Sequence, residues 1–216
     1  MTCVLLLTLA MTDAALKVEA AERDPPVELA TEVRGQLDGR AIVVSDGDGP
    51  SVTVWFRTVL TLEATAEVVA NGVGYRELAA GTLVGAVKLH QPLTDFRKQR
   101  IAAGVYTLRF AVQPEVGDHA GTSPHPEFLL LSPAADDESA GVVEPKDLLA
   151  RSRKATGGNH PAVMLLMPAG GATESPKLVE RAGGLRVLTV RRPAVADGVK
   201  TTLNVGLVVS GVSQSR

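Results

Sequence analysis

An all-β fold is what this sequence predicts: an antiparallel β-sandwich of immunoglobulin-like or jelly-roll-like type, with one short helix near residues 145–156. Three observations carry it. Short apolar and β-branched runs recur along the chain, separated by Gly- and Pro-rich turn signals. In the clearest run Tyr106, Leu108, Phe110 and Val112 alternate with Thr107, Arg109, Ala111 and Gln113. That period of two gives one apolar face and one wetter face, as in a half-buried strand. Helical signals are too sparse for a parallel α/β fold, which needs a helix between most strands.

The chain begins MTCVLLLTLAMTDAALKVEA. Its apolar run, Cys3 to Met11, is shorter than the about 20 residues that span a bilayer. Val18 and Ala20 stand where a signal peptidase reads, so residues 1–20 are expected to be a secretory signal peptide, although no basic residue precedes the apolar run. The alternative is an N-terminal amphipathic helix packed on the domain. With a signal removed, the mature chain is expected to be secreted or periplasmic, with no integral membrane segment. Residues 21–26 then read as a charged linker and 27–212 as a single domain.

Strands are expected at Val27–Val33, Ala41–Ser45, Ser51–Arg57, Leu60–Val69 and Leu83–His90, although Glu63–Ala70 also fits a helical turn or two. Pro92–Arg97 turns the chain into a central hairpin, whose strands are Gly104–Gln113 and Phe128–Leu131. Their connector, Pro114–Pro126, is Gly- and Pro-rich and longer than a hairpin needs, and long ordered loops are more often functional. Ala134–Gly141 is acidic and reads as a surface loop. In the helix, Pro145 opens the first turn, Leu148 and Leu149 face inward, Asp147 and Arg151 form a surface pair, and Gly157-Gly158 ends it. Strands at Pro161–Pro168, Leu185–Arg192 and Thr201–Val209 complete the set, the last two joined by a Pro193–Gly198 connection.

Composition narrows the function. Hydrophobic residues make up 45% of the 216, ample for a core, but aromatics only 3%, so Val, Leu and Ala must fill it. A formal net charge of −2 argues against non-specific nucleic-acid binding, which needs a basic face to displace counterions. The lone Cys3 allows neither an internal disulfide nor a cysteine zinc cluster.

Two of the four histidines share the 114–126 loop, as Asp118-His119 and His125-Pro126-Glu127. Imidazole and carboxylate are ligands of zinc and copper, so a metal ion held by His119, His125 and either Asp118 or Glu127 is one reading, and solvated loop side chains are the other. No other cofactor is indicated. The spacing matches neither His-Glu-x-x-His nor a deaminase pattern, because no Cys-x-x-Cys follows. Asp46-Gly47-Asp48-Gly49 starts like a calcium loop, but Arg57 stands where its glutamate belongs, so it reads as a turn. Asn71-Gly72-Val73-Gly74 lacks the third glycine of a dinucleotide site, and no Gly-x-Ser-x-Gly elbow occurs. Trp55, with Tyr75 and Tyr106, is a candidate sugar-stacking platform, though Tyr106 shares its face with Leu108 and Phe110 and reads as core. Asp95 and Arg97 are candidate ligand contacts at one end of the domain.

Asp95-Phe96-Arg97, Ile101–Arg109, Gly117-Asp118-His119, Glu127–Pro133 and Gly157–Val163 together resemble an uncharacterised family of exported bacterial proteins. Ala103-Gly104-x-Tyr106-x-Leu108 is also similar to a strand common in extracellular β-sandwich modules. The resemblance implies export and a β-sandwich, and nothing catalytic. The function expected is therefore that of a non-catalytic binding or structural module of the cell envelope. Its ligand would be a carbohydrate or another envelope component, bound by Asp118, His119, His125, Trp55, Asp95 and Arg97. The alternatives are a metal-dependent enzyme using the loop histidines and a self-assembling scaffold.

Overall fold

Runs of alternating apolar side chains become strands wherever two faces can be covered. The computed structural model describes residues 16–47, 49–113, 125–170 and 174–211. In chain order these form β1 (Lys17–Glu22), α1 (Thr31–Arg34), β2 (Arg40–Asp46), β3 (Gly49–Phe56), β4 (Leu60–Thr61), α2 (Ala66–Asn71), β5 (Leu83–Leu89), β6 (Leu93–Thr94), β7 (Arg100–Ile101), β8 (Gly104–Val112), β9 (Glu127–Pro133), α3 (Pro145–Thr156), β10 (Val163–Met167), β11 (Lys177–Arg181), β12 (Leu185–Ala196) and β13 (Val199–Ser210).

The class is all-β, as the alternation predicts. An 11-stranded sheet runs β1-β2-β3-β5-β8-β9-β10-β13-β12-β11, with β4 added parallel to β12, and β6 and β7 form a small hairpin apart from it. The expectation was two stacked sheets; the structure has one continuous curled sheet, a half-barrel. The reason lies in β10. Val163–Leu165 pair with β9, while Leu166 and Met167 pair with β13, so a single strand carries the sheet from one half to the other. The end strands β1 and β11 approach within 8 Å between Cα atoms.

Inside the curl, Val54, Leu108 and Leu131 from one half share a core with Val190, Val205 and Leu207 from the other. Each such side chain contributes about 1.5–3 kcal/mol by leaving water. Smaller clusters lie on the outer face. One gathers Ala111, Leu130, Val163 and Leu165 beneath Leu148 of α3. The other gathers Ala41, Trp55 and Ala86 beneath Leu29, Val33 and Leu37.

The β8 alternation holds, but its second face is not wet. Thr107 and Arg109 are fully buried because Ala134–Gly141, expected to be a solvated loop, lies against them. Asp137 is also fully buried and takes Arg109 in two bonds, Nε to Oδ2 at 2.6 Å and Nη2 to Oδ1 at 2.9 Å. The remaining Arg109 hydrogens reach the carbonyls of Gly81, Gly141 and Ser139. Asp137 also accepts from Thr107 Oγ1 at 2.5 Å and Arg151 Nη1 at 2.8 Å. Gly81 must be glycine here: its φ is +88°, and a Cβ would sit 1.9 Å from the Val143 carbonyl oxygen.

Five other expectations change. The expected Leu60–Val69 strand is a strand only at Leu60–Thr61, and Ala66–Asn71 is helical, capped by Thr65 Oγ1 accepting from Val68 N at 3.4 Å, so with α1 and α3 the described residues hold three α-helices and not one. Residues 27–33 are a turn and α1, not a strand, because Leu29, Val33 and Leu37 stand four apart and bury one helical side while Val27 stays 80% exposed. Residues 21–26, read from the sequence as a linker, are tied to the domain: β1 runs through Glu22, the Arg23 N–H donates to Gly39 O at 2.9 Å, and Trp55 Nε1 donates to Arg23 O at 2.8 Å. The helix spans Pro145–Thr156 and ends at left-handed Gly157, but Leu149 is 36% exposed, and Arg151 turns to Asp137 rather than Asp147. β12 continues through Pro193 and turns at Asp197 (φ 47°) and Gly198 (φ 75°), the two positive φ values of a type I′ hairpin. Pro193 is tolerated because it lies between the end of the β11 pairing at Thr189 and the start of the β4 pairing at Ala194, where β12 is locally an edge.

The boundary between Ala20 and Ala21 falls inside β1, and residues 1–15 lie outside the described residues. A cut after Ala20 would strip Lys17–Ala20 from their partners Ser45–Ile42. A chain starting at Ala21 is therefore expected to be less stable than one starting at Leu16 by about 1–4 kcal/mol, at about 0.2–1 kcal/mol per cross-strand pair, measured by urea unfolding. Arg109→Ala and Asp137→Ala should each cost about 3–5 kcal/mol, because each strands a buried charge. The double variant should lose clearly less than the sum of the two, as a double-mutant cycle on the same assay would show.

Candidate ligand-binding cleft

Side-chain parity on β8, β9 and β10 turns Ala111, Phe128, Leu130 and Val163 to the outer face of the sheet. α3 covers this face only in part. Leu148 is buried against it, while Leu149 lies one helical step round and stays partly open. Between helix and sheet is a cleft of about 330 Å³, walled by these residues and closed at one side by Phe96 of the β6–β7 turn. The polar side chains that line it are Arg97, Gln113, Arg153, Asn159 and His160.

Two clamps set the width. Ser152 Oγ donates to Ala162 O at 3.1 Å and accepts from Ala162 N at 3.0 Å, fastening α3 to the start of β10. Gln99 Nε2 donates to Pro161 O at 3.1 Å, fastening the β6–β7 turn to the same segment. Asp95 organises that turn. Its Oδ1 accepts from the Arg97 and Gln99 N–H groups, both at 2.9 Å, and its Oδ2 accepts from Gln99 Nε2 at 2.9 Å. Burial raises the pKa of the Asp95 carboxyl; the bonds from Gln99 and the Arg97 and Val163 amides pull the other way and do not cancel it.

The sequence candidates separate accordingly. Arg97 is half-buried on the cleft, and Asp95 holds its backbone. Trp55 is not on an open face: it is 4% exposed beneath α1, which covers the face that Thr53 and Arg57 had suggested was open. Tyr106 is in the main core and donates to Ala102 O at 2.8 Å. Tyr75 donates to Met167 O at 2.8 Å and accepts from Gly206 N at 2.7 Å, and burial pushes its pKa up to about 12. These three rings therefore form no stacking platform. His125 is half-buried just ahead of β9, which Glu127 begins, whereas Asp118 and His119 lie outside the described residues. Among the described residues no three His, Cys, Asp or Glu come together as metal ligands. His90, on the other side of the sheet path, shares a 2.9 Å bond with Thr53 Oγ1.

The cleft itself was not foreseen. The usable signal was the pair Leu148-Leu149: adjacent helical residues point about 100° apart, so a surface packed squarely on Leu148 meets Leu149 only at its edge. No described helix is long and apolar enough to cross a membrane. No family model matches the chain, and neither the curated proteins nor the solved structures return a significant match.

Asp95 gives the site a pH signature. A carboxyl whose folded pKa is raised binds its proton more tightly in the folded state. Stability relative to an uncharged side chain therefore falls as pH rises from about 4, the unfolded value, through the raised folded value. Urea unfolding across this range should show wild-type stability declining relative to Asp95→Asn, with a flat difference at higher pH.

Proposed function

We propose that this protein is an exported, non-catalytic binding module and that its ligand site is the cleft beneath α3. The observation that carries this is an apolar cavity whose helix and turn are both hydrogen-bonded to the Pro161-Ala162 segment, with Leu149 and Phe128 still accessible in its wall. Its volume of about 330 Å³ is at the low end of the about 300–1,000 Å³ usual for small-molecule sites, and a mostly apolar wall with a few polar rim groups is their usual composition. The curled sheet serves as a sandwich would, two facing halves fixing one core and freeing the outer face for binding. A carbohydrate loses its support as ligand, since Trp55, Tyr75 and Tyr106 offer no open ring face, and an apolar ligand replaces it. Export is carried by the apolar run Cys3–Met11.

N-phenyl-1-naphthylamine, a neutral apolar fluorophore, is expected to bind at one site per chain with a gain in emission. Leu149→Glu, at a position exposed enough to leave folding intact, should weaken that binding at least about tenfold by placing a charge in the apolar wall. No emission gain, or an affinity unchanged by Leu149→Glu, would overturn the assignment.

A further inference from the structure

We infer that the cleft selects single-chain anionic amphiphiles, with Arg97 and Arg153 holding the head group at its mouth; this rests on the cleft being the ligand site. Two arginines line the cleft from different elements, Arg97 from the β6–β7 turn and Arg153 from the last turn of α3. Among the described residues neither guanidinium is in an ion pair, whereas Arg109, Arg151, Arg186 and Arg192 each meet a carboxylate. No described Asp or Glu lines the cleft, although the whole chain carries net charge −2. The rim is therefore a local positive field at the opening of an apolar wall.

That pairing of features defines the ligand. A guanidinium presents its N–H groups as a planar fork that matches a carboxylate or a phosphate, so an anionic head would bridge the mouth. An apolar tail would lie along Phe128, Leu130 and Leu149. The small volume suits one short chain and excludes a two-chain lipid. The Arg97 backbone is also placed in advance, because Asp95 fixes its N–H and Gln99 docks the turn on Pro161, so the turn need not be ordered when the anion arrives.

The test is displacement of N-phenyl-1-naphthylamine by decanoate, decanol and decyltrimethylammonium, all below their micellar ranges. Decanoate should displace the probe at about one-tenth the concentration decanol needs, from two partly exposed ion pairs, and the cation should be the weakest. Added salt should narrow the gap between decanoate and decanol. Arg97→Gln combined with Arg153→Gln should abolish the decanoate advantage, so that on this variant decanoate and decanol displace the probe at the same concentration. Decanoate no better than decanol, or an advantage that survives in the double variant, would overturn the anion selectivity while probe binding upholds the cleft. Failure of the probe to bind would overturn the cleft and the selectivity together.

Discussion

Asp137 and Arg109 meet with neither side chain exposed to water. A charge buried in this way is tolerable only when its partners are complete. Here they are. The five N–H donors of the guanidinium find two carboxylate oxygens and the carbonyls of Gly81, Ser139 and Gly141, and the carboxylate's remaining capacity is taken by Thr107 and Arg151. The network joins the sheet, the 134–141 segment, the turn at Gly81 and the helix α3, parts far apart in the chain. It therefore fixes what lies on the outer face of β8, and through Arg151 it fixes where α3 lies.

The cleft follows from that placement. With α3 held toward Asp137 at Arg151 and toward Ala162 at Ser152, its apolar side is offered to β8, β9 and β10 without closing on them completely. A second polar anchor, Asp95, sets the opposite wall by shaping the β6–β7 turn and placing Arg97 at the rim. Both anchors are carboxylates whose hydrogen-bonding capacity is spent on structure. The Asp and Glu side chains keep out of the cleft, whereas Arg97 and Arg153 line it, and this asymmetry gives the cleft its chemical character.

Much of the fold was legible in the residues. The Tyr106–Val112 alternation, the apolar run at Phe128–Leu131 and the Pro145-to-Gly157 helix all appear where periodicity and capping place them. Local ambiguity explains most of the rest. Val27, Leu29, Thr31 and Val33 fit a strand, yet Leu29, Val33 and Leu37 fit a helix equally, and contact with Trp55 decides between them. Asp197-Gly198 was a readable hairpin signal, masked by Pro193, whose cost depends on which strands flank it. Of the candidate site, Arg97 and Asp95 belong to the cleft, while Trp55 is buried by a helix read as a strand. Asp118 and His119 lie outside the described residues.

By itself the sequence determined the all-β class, the order and parity of most strands and the one long helix, because these depend on spacing between near neighbours. Only the tertiary structure decided that a single sheet curls through β10, that the acidic 134–141 segment buries Asp137, and that an arginine on an apparently wet face is the largest fully buried side chain among the described residues. Periodicity reports which residues share a face, but not what covers it. Arg109 and Asp137 are 28 residues apart in the chain, and both are hydrophilic when read alone. Each becomes a core residue only through the other, since the cost of burying one charge is met by the geometry of its partner.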